Sequence, residues 1–280
     1  AAMAALPDVQ GFGNVHSLHQ AMARDSGGHL QSLVRQFAAE SDPTVRDALV
    51  TTILYAWAGV ENIDPASRAA KMYYGNAIGD ARKLASLEAF LGEGYQGTWC
   101  WGERDPNPHG QAAPILLQAF DKLANYVSSR LMAQAHFKPL YDSIGLAWNA
   151  DTQQFGLDVT AVVASLQTRY ADNAEAGLLW MGEFAEGLKN SGDTGNQVLE
   201  ALRQAGDSTD EGFAFYLSEL GLGGSSFGDA GDNTIGGSNN LDDILFGLSG
   251  NDSLNGENGD DKLNGGSGND SLYGGEGNDT

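Results

Sequence analysis

Aspartates spaced nine residues apart are the residues of this sequence best suited to chemistry. Asp252, Asp261, Asp270 and Asp279 each occupy the same slot of a glycine-rich unit, and the phase does not slip between them. Glycine lets a turn adopt backbone conformations forbidden to other residues and leaves its carbonyl oxygens free. Carboxylate and carbonyl oxygens together suit a hard cation that takes six to eight oxygen ligands. The spacing therefore predicts a repeated site for such a cation.

Each of the first three units also places one large apolar residue two positions after its aspartate. The complete units are Gly247–Asn255, Gly256–Asn264 and Gly265–Tyr273, and Gly274–Thr280 begins a further unit, which we expect to be truncated. A disordered, charged Gly/Ser linker is the alternative interpretation of this composition. The unbroken phase, with an apolar residue in the same slot each time, favours an ordered repeat.

Two degenerate units precede these four. Gly228–Gly236 has Asn233 in the aspartate slot, and Gly237–Leu245 has Asp242 there. We place a one-residue frame shift at Leu245-Phe246. The linker alternative is stronger for these two units, because their pattern is weaker.

The pattern resembles the RTX, or haemolysin-type, nonapeptide G-G-x-G-x-D-x-U-x, in which U is a large apolar residue. The resemblance implies a parallel β-roll, in which glycine-rich turns alternate with short x-U-x strands that stack into two parallel sheets. It also implies that Ca²⁺ lies between turns eighteen residues apart, which pairs Asp252 with Asp270 and Asp261 with Asp279. The apolar residues that point inward are then Ile244, Leu254, Leu263 and Leu272.

A core of single aliphatic side chains is too thin to offset the conformational entropy of so many glycines. Ca²⁺ binds carbonyl and carboxylate oxygens, and its binding is expected to supply the missing stability. The ligands that the resemblance implies come from the aspartate slot and from the glycine-rich turns. They are Asp242, Gly247, Ser249, Asp252, Gly256, Asn258, Asp261, Gly266, Gly268, Asp270, Gly275, Gly277 and Asp279.

The overall composition narrows the class of protein. Acidic residues outnumber basic ones 37 to 15, for a formal net charge of -22. Such a chain is not expected to bind nucleic acid or anionic membranes through charge attraction. Cys100 is the only cysteine, so an internal disulfide is excluded. No apolar run is long enough for a transmembrane helix, and Ala1–Leu6 lacks the basic flank of a signal peptide.

The predicted fold is multidomain, with a mostly α-helical domain over 1–220, a flexible linker over 221–227 and an RTX β-roll over 228–280. Apolar residues at helical spacing and good capping residues indicate the helices. The helices are expected to begin after Asn14, Asp42, Asp80 and Asp158, with others near 30–37, 112–137, 174–189, 196–204 and 209–219. Leu146–Leu157 is predicted to form a short hairpin around Asn149-Ala150-Asp151.

The helical part is itself similar to the segment that precedes the repeats in large, Frp-like RTX exoproteins. The matching stretches are Leu6–Met22, Asp80–Leu84 and Leu131–Gln134. The resemblance transfers no catalytic role. Proteins of that group also contain a self-cleavage module that acts at Asp-Pro, but none of the three such dipeptides here is followed by the acidic loops the module needs. We interpret Asp42-Pro43, Asp64-Pro65 and Asp105-Pro106 as helix starts and turns.

Other candidate sites are weaker. His16 and His19 could share a helical face, although soft-metal binding needs a third ligand that the spacing does not specify. Trp99-Cys100-Trp101 lies in a loop with Arg104 and His109, and packing is favoured over a reactive thiol. Glu183 and Glu186 are expected on a solvated helix face. The motifs of serine hydrolases, zinc proteases and P-loop nucleotide-binding proteins do not occur.

The sequence therefore predicts a calcium-binding exoprotein, secreted to the medium or the cell surface by the type I machinery. Its helical domain is expected to have an adhesive, toxin-like or structural role, with a host-cell or envelope surface as a possible ligand. The absence of catalytic motifs favours a protein without enzyme activity. Two alternatives remain open: the non-catalytic part of a secreted RTX hydrolase, and a surface-layer protein with a helical envelope anchor.

Overall fold

The computed structural model describes residues 5–68, 77–98, 104–105, 107–108, 110–149, 153–205, 211–223, 225–228, 231–237 and 242–280. The chain divides into two compact units, Ala1–Lys138 and Pro139–Thr280. The predicted Trp99-Cys100-Trp101 loop and His109 lie outside the described residues, as does the tip of the predicted hairpin.

The first unit is built from helices, with one short antiparallel ladder. The ladder pairs β1 (Gly97–Thr98) with β2 (Arg104–Asp105). The helices are α1 (Leu18–Arg24), α2 (His29–Ala39), α3 (Pro43–Trp57), α4 (Ala81–Leu91) and α5 (Ala112–Ala135), and α6 (Lys138–Asp142) follows at the boundary between the units.

The helix starts follow their capping residues. The carboxylate of Asp42 accepts from the backbone nitrogen of Thr44 at 2.8 Å, with Pro43 in the first turn of α3. Asp80 accepts from Arg82 N at 2.9 Å and caps α4. Both caps agree with the sequence. The prediction for α1 was wrong, because Ser17 and not Asn14 caps it.

The apolar stripes of these helices meet in one core. Its side chains are almost fully removed from solvent, so burial stabilises the unit by the usual hydrophobic gain. The largest buried side chains of the unit are Phe37, Phe90, Phe120, Phe137, Leu18, Ile53, Leu54, Leu84 and Leu131.

The second unit begins with helices and a hairpin. The hairpin pairs β3 (Gly145–Asn149) with β4 (Gln154–Asp158), which confirms the strand pair predicted around Asn149. The helices are α7 (Thr160–Asp172), α8 (Ala174–Lys189), α9 (Gly192–Ala205) and α10 (Glu211–Glu219). Asp158 accepts from Thr160 N at 3.1 Å, but the N-cap residue of α7 is Val159, so the predicted cap was wrong by one residue.

In the part of the chain that the structure describes, six short parallel strands follow the helices. They are β5 (Ser225–Phe227), β6 (Thr234–Gly236), β7 (Ile244–Phe246), β8 (Ser253–Asn255), β9 (Lys262–Asn264) and β10 (Ser271–Tyr273). They alternate between two sheets, in the orders β5-β7-β9 and β10-β8-β6. The predicted architecture of helices followed by a parallel β-roll is confirmed.

The first strand lies where the sequence predicted a flexible linker. Residues 225–227 form β5, which pairs in parallel with Ile244–Phe246. The ring of Phe227 stacks on Phe246, and Leu222 is buried at 1% exposure. Strand pairing and aromatic packing therefore order this segment in spite of its flexible composition. The wider division into domains at 221–227 stays a prediction, because the compact units divide at Lys138.

The register of β7 differs by one residue from the predicted alignment. Leu245, and not Ile244, pairs with Leu263, and it is fully buried. Ile244 pairs instead with Lys262. Side chains alternate between the two faces of a strand, so the pairing decides which aliphatic residue points inward. The inserted residue therefore lies ahead of β7, within the turn of its unit, and not at Leu245-Phe246.

Candidate metal centre

The glycine-rich turns stack on one another along the roll. We call a junction the place where one turn contacts the turn two strands later in the chain. The backbone nitrogen of Asp252 donates to Asp270 Oδ1 at 2.9 Å, and that of Asp261 donates to Asp279 Oδ1 at 3.1 Å. Each hydrogen bond spans eighteen residues, so the two aspartate pairs predicted from the sequence do meet at junctions.

Two of these carboxylates are buried without a hydrogen-bond partner for one oxygen. Asp252 is 2% exposed and Asp261 is 1% exposed. In both, Oδ1 accepts a backbone hydrogen bond while the buried Oδ2 has no partner. An ionised carboxylate oxygen in this position is unfavourable unless a cation or a donor neutralises it. The burial thus fits a bound cation.

Backbone carbonyls face the same space. A methyl group placed on Gly247 would overlap Asp252 Oδ2 and lie 2.7 Å from the carbonyl oxygen of Gly265. At Gly256 it would overlap Asp261 Oδ2 and lie 2.6 Å from the carbonyl oxygen of Gly274. A carboxylate oxygen of one turn and a carbonyl oxygen of the next therefore converge, and both belong to the ligand types that Ca²⁺ prefers.

Glycine is required in these turns for a second reason. Gly250 and Gly268 have φ values of 118° and 140°, and Gly259 and Gly277 have values of 146° and 148°. Side chains of L-residues rarely tolerate this region. The glycine at the fourth position of each nonapeptide thus lets the turn curl tightly enough to stack on its neighbour.

The prediction that Asp242 occupies the aspartate slot of the unit that begins at Gly237 was wrong, because Asp243 lies there. Asp243 N donates to Asp261 Oδ1 at 2.8 Å, as the other aspartates of the slot do. Asp243 is buried, at 7% exposure. Asp242 is exposed, and its carboxylate accepts from Asp260 N at 2.8 Å. The tandem Asp242-Asp243, eighteen residues before Asp260-Asp261, was the signal available in the sequence.

The remaining predicted ligands lie on the stacked turns. The hydroxyl of Ser267 donates to Ser249 Oγ at 3.2 Å, and Asn258 forms a parallel bridge with Glu276. A methyl group on any of the four predicted glycines would overlap a carbonyl oxygen of the turn below. These glycines are Gly266, Gly268, Gly275 and Gly277. Their turn positions are as expected, and their role as ligands stays a prediction.

Among the described residues, the other candidate side chains form no metal site. The carbonyl oxygen of His16 accepts from Trp57 Nε1 at 2.9 Å, and His16 precedes α1, so the shared helical face predicted with His19 does not exist. His19 Nε2 lies 2.9 Å from Leu6 O. Glu186 accepts from Asn190 Nδ2 at 3.2 Å. Among the described residues, no three His, Cys, Asp or Glu side chains are grouped to hold a metal.

Comparison with known proteins bears on the roll alone. Residues 238–272 and 246–280 match the family model of the RTX calcium-binding nonapeptide repeat, which describes four copies. No curated protein and no solved structure matched the chain. The resemblance of the helical part to Frp-like proteins stays a prediction. Within the described residues, no helix is long and apolar enough to cross a membrane.

Proposed function

Because the C-terminal region of this chain consists of RTX repeats, which bind Ca²⁺, we propose that calcium folds the roll outside the cell and thereby completes a secreted protein. In this proposal the ions occupy the junctions of Asp252 with Asp270 and of Asp261 with Asp279. The helical part has an adhesive, toxin-like or structural role. The observation that carries the proposal is the pair of buried Oδ2 atoms without a partner, on Asp252 and Asp261.

The weak core of the roll supports a requirement for calcium. Leu245 and Leu254 are fully buried, but Leu272, on the edge strand β10, is 47% exposed. A fully buried aliphatic residue recovers roughly 1.5–3 kcal/mol, against roughly 1–2 kcal/mol for each backbone residue ordered. The strands and their turns therefore need a further source of stability, and cations that neutralise buried carboxylates provide it.

The negative charge of the repeats also supports a requirement for calcium. Lys262 is the only basic residue after residue 225, whereas eleven acidic residues occur in that stretch. Without cations, carboxylates stacked on neighbouring turns repel one another and favour the extended chain. Low cytosolic calcium then keeps the repeats unfolded and suited to export, and higher calcium outside the cell folds them.

The calcium proposal is tested on the whole chain by calorimetric titration with circular dichroism in parallel. Calcium should bind cooperatively, with affinities on the order of 10⁻⁴ to 10⁻³ M as in other extracellular modules, and should add β signal. Magnesium should substitute poorly, because it requires a compact octahedron and releases its waters reluctantly. No gain of β signal, or an equal response to magnesium, would contradict the proposal.

Export by the type I machinery has a separate test. In cells that produce the native protein, fractionation should find it in the medium or on the cell surface. Inactivation of the type I exporter should retain it inside. Continued export without the exporter would refute this part of the proposal and leave calcium binding untouched.

A further inference from the structure

The dipeptide Asn-Gly occurs three times in the sequence, and all three copies lie in the roll. Asn255-Gly256 joins the end of β8 to the turn that follows it, Asn258-Gly259 lies within that turn, and Asn264-Gly265 follows the edge strand β9. Asparagine loses its side-chain amide most readily before glycine, which has no Cβ to hinder the approach of its nitrogen and leaves the backbone free to rotate. The roll therefore contains the least durable amides of the chain.

The reaction that removes the amide needs no other protein. The backbone nitrogen of the glycine attacks Cγ of the asparagine and forms a bond to it. The bond from Cγ to Nδ2 breaks, and the glycine's proton leaves with Nδ2 as ammonia. Water then opens the resulting succinimide ring, to aspartate or to isoaspartate. The glycine nitrogen must rotate toward Cγ, so local opening of the backbone sets the rate.

The folded roll holds the glycine nitrogens of the first two copies. Gly256 N donates to Tyr273 O at 2.8 Å, and Gly259 N donates to Glu276 O at 3.0 Å. Both hydrogen bonds join one turn to the turn stacked on it, and Gly256 is also buried. A nitrogen that donates to the neighbouring turn reaches Cγ only after the two turns separate. Both reactions therefore require that the junction opens.

Asn255 lies where a change in the main chain would be most disruptive. It belongs to β8, the middle strand of its sheet, and lies opposite Tyr273 on one side and Gly236 on the other. In isoaspartate the main chain runs through Cβ and gains one atom. The added atom shifts the following turn relative to both neighbouring strands, whereas aspartate leaves the main chain unchanged. Isoaspartate at position 255 is therefore incompatible with the register of the roll.

We propose that Asn255-Gly256 and Asn258-Gly259 are sites of spontaneous deamidation in the calcium-free chain, and that bound calcium protects them by holding the turns together. The inference rests on the proposed calcium function. A chain that binds calcium promptly keeps both amides. A chain that stays without calcium is converted irreversibly to a form that no longer folds its roll.

The experiment incubates the whole chain at mildly alkaline pH in EDTA, in calcium or in magnesium. Peptide mass spectrometry with fragmentation assigns each conversion to its asparagine and separates isoaspartate from aspartate. In calcium at roughly ten times its dissociation constant, the open chain becomes about tenfold rarer, so both reactions should slow by that factor relative to EDTA. Magnesium at the same concentration should not protect. Conversion at Asn190-Ser191 of the helical part, where Ser191 N donates to Leu188 O, should not depend on calcium.

Two variants separate the chemistry from its consequence. Asn255→Gln should abolish conversion at position 255 and leave that at Asn258 unchanged, because glutamine must close a larger ring. Asn255→Asp should keep its calcium binding, since its main chain is unaltered. The unmodified chain aged in EDTA should instead lose calcium binding in proportion to its isoaspartate content.

The outcomes distinguish this inference from the function on which it rests. Equal rates in calcium and in EDTA, while circular dichroism shows that calcium orders the roll, would overturn the inference and leave the proposed function standing. Equal protection by magnesium, or full calcium binding by a chain rich in isoaspartate, would also overturn it. Absence of a calcium-dependent β signal in the freshly prepared chain would overturn the proposed function itself.

Discussion

The rings of Phe227 and Phe246 stack 4.6 Å apart, with an angle of 11° between their planes. Phe215 of α10 meets Phe227 edge-on at 5.1 Å and 86°. Three aromatic rings therefore form a column that connects α10 to the strands β5 and β7. The column thus lies on β5, the edge strand of its sheet.

Phe227→Ala should destabilise the calcium-loaded protein by about 1–3 kcal/mol, because it removes two aromatic contacts and the packing around them. The change should also weaken the apparent calcium affinity, since the first strand loses its anchor. Denaturant unfolding at saturating calcium measures the first effect and calorimetry the second. Leu179→Ala, at a side chain that is 59% exposed, should change neither. Equal effects of the two variants would show that the column carries no stability.

Asp261→Asn should weaken calcium binding strongly, whereas Asp260→Asn should have little effect. Asp261 is buried, and its Oδ2 has no hydrogen-bond partner. Replacing its carboxylate by an amide removes the negative charge that a bound cation would need. Asp260 is exposed, and the amide oxygen of asparagine can still accept the hydrogen bond from Asn278 N. Charge-assisted interactions of this kind contribute roughly 1.5–3 kcal/mol, or about 10- to 150-fold in affinity. A stronger effect of Asp260→Asn would contradict the assignment of the aspartate slot.

Gly256→Ala should abolish calcium binding at its junction and destabilise the roll by about 1–3 kcal/mol through overpacking. The added methyl group would overlap Asp261 Oδ2 and the carbonyl oxygen of Gly274. Gly236→Ala is the matched control, because nothing lies within 4 Å of the position its methyl group would occupy. Calcium titration and thermal unfolding of both variants provide the measurement. Normal calcium binding by Gly256→Ala would show that this space holds no ion.

The first unit should lose stability at both extremes of pH through the cluster of Tyr55, Asp80 and Arg82. Two hydrogen-bonded contacts from Arg82 to Asp80 Oδ2, at 2.7 and 3.1 Å, hold the pKa of Asp80 below its usual value. Burial, and then the negative charge of Asp80, raise the pKa of Tyr55 to about 12. The contribution of Asp80 is thus present above its unfolded pKa and is lost as pH falls through its lowered value. That of Tyr55 is present below pH 10.0 and is lost as pH rises through about 12.

Asp80→Ala should therefore destabilise the helical signal by about 1–3 kcal/mol at neutral pH, since it removes a helix cap and charge-assisted hydrogen bonds. The difference from the unmodified protein should shrink as pH falls below the unfolded pKa of Asp80. Denaturant unfolding followed by circular dichroism across this range is the measurement. Glu93→Ala, at an exposed residue, controls for the loss of one charge. A difference that does not depend on pH would rule out the electrostatic explanation.

Removal of calcium should unfold the roll and leave the first unit folded. The core of α2 and α3 contains fully buried residues such as Phe37 and Ile53, so its stability does not need an ion. Hydrogen exchange of the whole chain in EDTA should keep amide protection in α2 and α3 and lose it in β8 and β9. Protection lost in both regions together would contradict the proposed division into a calcium-independent and a calcium-dependent part.

The sequence alone determined the features that depend on local chemistry. Asp42 and Asp80 cap helices wherever the chain places them, because the cap hydrogen bond spans only two or three residues. The nine-residue phase of glycine, aspartate and one apolar residue likewise specified the turns and strands of the regular repeats. The pairs Asp252–Asp270 and Asp261–Asp279 followed from that phase and the family resemblance, and both lie at junctions.

Only the tertiary structure decided the features that depend on pairing between distant residues. Ile244 and Leu245 are both apolar, as Asp242 and Asp243 are both acidic, so composition could not choose between them. The parallel pairing of β7 with β9 made the choice, because a shift of one residue would turn Leu245 out of the core and Asp243 away from Asp261. The pairing of β7 with β5 likewise turned the expected linker at 225–227 into a strand. Strand register is a cooperative property of the whole sheet, and a single strand of three residues contains too little information to specify it.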